Sequence, residues 1–75
     1  MTEIYKTADI VLAASLKVSG FEMSSIELQG TKGVFVFENV DKQTLIDFDL
    51  GKVKVEPVAF NNTIKQLTTS VRRMT

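Results

Sequence analysis

The chain contains no cysteine, no histidine and no tryptophan, and only one proline. Without cysteine no disulfide can brace it, and that absence fits any redox compartment. Without histidine as well, the usual transition-metal ligands are missing, and only carboxylates and carbonyls remain for a hard cation. The same two absences remove the common base-activated nucleophiles. Serine and threonine are plentiful, but only lysine variants of such an arrangement could be assembled. An enzyme would need Lys, Asp, Glu, Ser and Tyr5 alone, and no convergent set of these can be named. The expectation is therefore no catalytic residue, no cofactor and no metal. Long apolar runs are missing too: the longest, Ile10 to Ala14, falls far short of a membrane span. The mixed charge of Met1 to Lys6, and the breaks at Ser15 and Lys17 in the apolar stretch that follows, speak against a signal peptide. A soluble cytoplasmic protein is expected, with no membrane partner.

What is present fits one small globular domain spanning residues 1–75, since 75 residues leave no room for a second and an apolar fraction of 44% is too high for a disordered chain. Net charge is zero but unevenly spread. Up to Phe60 there are nine acids against six lysines; from Asn61 onward there is no acid, and Lys65, Arg72 and Arg73 stand alone. These three cations are the candidate partner-binding surface. The plainer account is that cations near a helix C-terminus complement its dipole and keep the tail soluble. Nucleic-acid surfaces carry a larger basic excess, often with exposed aromatics, so nucleic acid is not the expected partner.

The pattern of elements is legible. Ile4-Tyr5-Lys6 reads as a short edge strand. Thr7 reads as an N-cap with Asp9 in the first turn, opening a helix over about Ala8 to Ser19. Gly20 at the left-handed C′ position would end it, with Phe21 closing the motif by an apolar contact. This helix is apolar almost all round, which implies cover on more than one side, either by the hairpin and last helix or by a second copy of the chain. Phe21 to Gln29 and Gly33 to Glu38 read as a hairpin, with Gly30-Thr31-Lys32-Gly33 supplying turn glycines. Phe35 and Phe37 share one face, Val34 and Val36 the other. In the first hairpin strand Phe21 and Met23 alternate, then Ile26 and Leu28 take the opposite parity. A bulge near Ser24-Ser25 would unite both pairs on one face; a strand buried on both sides is the alternative. Asp41 caps a second helix, with Val40 and Leu45 as its hydrophobic staple, Leu45, Ile46 and Phe48 or Leu50 on its buried side, and Gly51 at its end. Val53-Lys54-Val55 follows as a short strand. Pro57 opens a last helix whose Phe60, Ile64, Leu67 and Val71 form one stripe. The expected fold is α+β, of order β-α-β-β-α-β-α, an antiparallel hairpin or small sheet packed by two to three helices.

Two motifs are set aside. Gly30-Thr31-Lys32-Gly33 lacks the spacing of a phosphate loop and joins two strands rather than a strand and a helix. Asp47 and Asp49, two apart on a helix, point in divergent directions and cannot share a proton or a metal.

The order of features, carried by Tyr5-Lys6-Thr7-Ala8-Asp9, Leu12-Ala13-Ala14, Gly20-Phe21, Val34-Phe35-Val36-Phe37-Glu38 and the later Gly51, Val55, Pro57 and Phe60, resembles a family of short bacterial and phage proteins grouped only as a domain of unknown function. The resemblance covers nearly the whole chain and implies no activity and no site; it implies a phage or prophage origin, hence a host cytoplasm. Taken together, the expected function is a non-catalytic interaction protein, a phage or prophage accessory factor that binds a protein partner or itself as a homodimer. The alternative is a small nucleic-acid-binding or regulatory protein that uses the basic last helix. No small-molecule ligand is evident from the sequence.

Overall fold

In the computed structural model, which describes residues 4–75, the chain runs through a strand β1 (Ile4–Thr7), a helix α1 (Ile10–Val18), strands β2 (Met23–Gln29) and β3 (Lys32–Glu38), and helices α2 (Lys42–Asp49) and α3 (Pro57–Met74). Glu3, counted above among the acids, lies outside the described residues. The three strands form one antiparallel sheet of order β1-β3-β2, so the expected α+β class holds. One member of the expected order does not: residues 53–55 stay outside the sheet. They precede α3 directly, and both edges of the sheet are β1 and β2 without them.

The central position of β3 explains its unbroken apolar run. Its inner face sends Phe35 and Phe37, 2% and 0% exposed, into a core shared with Ala13, Ala14, Leu16, Val40 and Leu67. Its outer face carries Val34 and Val36, which no helix of that core covers. The ion pair of Lys6 on β1 with Glu27 on β2, 3.2 Å, reaches across β3 on that face, and both valines are buried. Long charged side chains shield apolar surface in this way while keeping their heads in water.

Strand β2 keeps its apolar residues inward by means of a bulge. Met23 pairs with Phe37 and Ser25 with Val36, which leaves Ser24 as the extra residue, its hydroxyl donating to the Val36 carbonyl at 3.4 Å. Beyond it Ile26 pairs with Phe35 and Leu28 with Gly33, both on the inner face. Of the two accounts of the parity break, the bulge is the one the fold uses. The hairpin loop is shorter than the glycine spacing implied: only Gly30 and Thr31 connect Gln29 to Lys32, with Gly30 at φ 65°. Gly33 belongs to β3, where its lack of a side chain serves packing. A Cβ there would stand 2.5 Å from Val71 Cγ2.

Helices α1 and α3 lie side by side on the inner face, and the 17 Å thickness of the molecule is that of one sheet and one helix layer. Ala13 and Ala14, both fully buried, allow the close approach. The cap of α1 differs from expectation. Asp9 is the N-cap, its carboxylate accepting from the amides of Val11 (3.0 Å) and Leu12 (3.3 Å), while Thr7 closes β1 and accepts the Asp9 amide through its hydroxyl. A carboxylate one residue before the first helical turn satisfies two orphan amides at once, and Thr7, still in the sheet, cannot. The far end matches expectation: Gly20 at φ 100° donates to Lys17, and Phe21 to Leu16 at 3.0 Å, with Phe21 packed on the core.

Helix α2 is capped by Asp41, which accepts the Thr44 amide at 2.8 Å; Val40 is buried and Leu45 packs on the same core. Its buried side is Leu45 and Phe48. Ile46 and Leu50, two of the expected candidates, are instead 48% and 63% exposed, because the turn of the helix that brings Leu45 and Phe48 inward carries both of them away.

Candidate binding groove

Helix α3 positions the three cations singled out by the sequence. Its first turn is held by Glu56, whose two carboxylate oxygens accept from Val58 (3.0 Å) and Ala59 (2.6 Å), with Pro57 at the first helical position, where no amide is needed. The stripe of Phe60, Ile64, Leu67 and Val71 packs on the core, so Asn62, Lys65, Gln66, Thr69 and Arg73 are left facing solvent. An open groove of about 580 Å³ lies along this helix, bounded by the end of α1 and the start of β2. Lys17, Met23, Asn62, Lys65, Gln66, Leu67, Thr69, Ser70 and Arg73 line it.

The structure thus unites Lys65 and Arg73 but not Arg72. Arg72 lines a different hollow, beside the hairpin turn and the start of α1. Lys17 takes its place in the groove. The sequence held one sign of this, since Lys17 is the single cation of an otherwise apolar helix, but its proximity to α3 depends on how the two helices pack. No acid lines the groove, and among the described residues the one ion pair is Lys6–Glu27. Lys17, Lys65 and Arg73 are therefore exposed cations without a carboxylate partner there, interleaved with the amides of Asn62 and Gln66 and the hydroxyls of Thr69 and Ser70.

A family model described as a domain of unknown function (DUF5659) matches residues 2–72. The chain belongs to this family. Neither a curated protein nor a solved structure matches it.

Elsewhere in this DUF5659 domain the acids have structural work. Hydrogen bonding from Thr44, its side chain first and its amide second, holds the Asp41 carboxyl below its ordinary range. The amides of Ala59 and then Val58 do the same for Glu56. Asp47 accepts from Gln43 Nε2 at 3.0 Å along the surface of α2. Among the described residues no three acids gather as metal ligands. No helix among them is long and apolar enough to cross a membrane. Gly30 and Thr31 turn directly from one strand into the next, so the segment has no helix N-terminus to hold a phosphate.

Proposed function

We propose that this DUF5659 domain is a non-catalytic binding module whose basic groove takes an acidic segment of a protein partner. The observation that carries the reading is the groove itself: three cations, four amide or hydroxyl side chains and no acid on one open surface. Carboxylates on an extended or helical segment would meet charge-assisted hydrogen bonds from Lys17, Lys65 and Arg73, while the amides and hydroxyls pair with its backbone. Nucleic acid is disfavoured by magnitude. Three groove cations neutralise about three phosphates, a small counterion-release gain that fades as salt rises. None of the aromatic side chains among the described residues is exposed for base stacking. A phage or prophage accessory role in the host cytoplasm is the setting this proposal adopts.

The test is fluorescence anisotropy with a labelled glutamate-rich peptide and a single-stranded oligonucleotide of equal charge, at ~150 mM salt, where surface charge is screened over about 8 Å. Saturable peptide binding that disappears in Lys17→Glu/Lys65→Glu/Arg73→Glu, with the fold retained by circular dichroism, supports the reading. Tighter binding of the oligonucleotide, or no binding of the peptide, overturns it.

A further inference from the structure

The hollow on the other flank of α3 has a different chemistry from the basic groove and shares no residue with it. It measures about 250 Å³ and lies where the start of α1, the hairpin turn and the end of α3 meet. Ile10, Phe35 and Val71 give it apolar walls, and Gly33 contributes only backbone, over which the Val71 side chain packs. Two cations, Lys32 and Arg72, line it beside Ala8 and the hydroxyls of Thr31 and Thr68, and no acid does. Asp9, the acid nearest in sequence, turns its carboxylate to the amides of Val11 and Leu12 instead. An apolar hollow beside two exposed cations is complementary to a molecule with a short apolar body and one anionic head.

We infer that this hollow binds a small apolar monocarboxylate, its chain against Ile10, Phe35 and Val71 and its carboxylate at Arg72 and Lys32. Size sets the class. At about 30 Å³ for each water-sized group the space accommodates about eight non-hydrogen atoms, which is a chain of about six carbons with its carboxylate oxygens. Arginine suits the head because its planar fork matches a carboxylate in two parallel hydrogen bonds. The site also assigns a use to Arg72, which the basic groove leaves out.

Amide NMR shifts of the full chain titrated with hexanoate test this, with hexanol and acetate as probes that each keep one half of the ligand. Saturable shifts with hexanoate at Ile10, Gly33, Val71 and Arg72 are expected, with hexanol and acetate each at least about tenfold weaker. Lys32→Ala/Arg72→Ala should weaken hexanoate by about tenfold or more, the loss of charge-assisted hydrogen bonds, without disturbing the remaining spectrum. Ala8→Leu, at an exposed rim position, should block entry with both cations intact. Hexanol binding as tightly as hexanoate, shifts centred on the exposed Ile46 and Leu50, or no saturation would each overturn the assignment.

Discussion

Single atoms decide the packing at two positions on β3. Phe37 is fully buried at the centre of the core, and truncation to alanine removes a ring that Tyr5 and Met23 flank in register. Phe37→Ala should cost about 3–5 kcal/mol, a large share of the stability of so small a domain, read from urea or thermal unfolding. A melting temperature within a degree or two of the parent's would contradict the core assignment. Gly33 carries the opposite constraint. Its missing Cβ is the space that Val71 occupies, and valine is stiff at χ1, so Gly33→Ala overpacks the contact between β3 and α3 by about 1–3 kcal/mol. Gly33→Ala/Val71→Ala should cost less than the sum of the two single changes, because Val71→Ala removes the methyls that a Cβ at residue 33 would meet. Full additivity in that cycle would mean the two residues do not meet.

At the scale of elements, each helix begins on a carboxylate: Asp9, Asp41 and Glu56. For Asp41 and Glu56 the hydrogen bonds received in the folded state hold the carboxyl below its ordinary value, 3.8 and 4.5 respectively. The unfolded chain therefore binds more protons than the folded one as pH falls through this range, and stability must fall with it. The contribution is fully present above the ordinary values and is lost as pH drops below them through the lowered ones. A melting curve followed from about pH 6 to pH 3 should decline at the acid end. Asp41→Asn/Glu56→Gln should flatten the decline, since neither amide titrates. An unchanged slope in that variant would place the acid sensitivity elsewhere. The start of α2 was readable from the sequence through Asp41, and that of α3 through Pro57, although the Glu56 cap before it was not read. At α1 the choice between Thr7 and Asp9 turned on where β1 ended, which is a matter of strand pairing with Phe35 and not of local preference.

For the whole molecule the question is which apolar surface remains uncovered. α1 was the expected surplus, yet the sheet, α3 and Phe48 of α2 cover most of it, and of its apolar residues only Val11 is exposed, at 56%. Ile4, Val58 and Met74 are also exposed, but Ile46 and Leu50 stand one turn apart on the outward side and end of α2. Self-association as a dimer is proposed through this face, because adjacent large apolar side chains in so small a domain gain most from mutual burial. Sedimentation equilibrium at micromolar concentration should give twice the 8.3 kDa monomer mass, and Ile46→Lys/Leu50→Lys should return the monomer without loss of helicity. A monomer in the parent protein would sink the proposal.

The chain by itself determined what is local or periodic. The α+β class, the apolar stripe of α3, the Asp41 cap with Val40 and Leu45, the Gly20-Phe21 helix end and the shared inward face of Phe35 and Phe37 all follow from spacing and from backbone groups that must be satisfied nearby. The bulge at Ser24 was half legible, since parity showed the break but could not choose between a bulge and a strand buried on both sides. Tertiary structure alone decided the rest. Residues 53–55 have the composition of a strand yet pair with neither edge strand, β1 or β2, and Gly33 has the look of a turn residue but sits under Val71. The basic site changed its membership for the same reason. Lys17 and Arg73 are far apart in the chain and share a groove, while Arg72 and Arg73 are adjacent and line different ones, because on a helix neighbours in sequence diverge and only the packing of α1 against α3 says which cations meet.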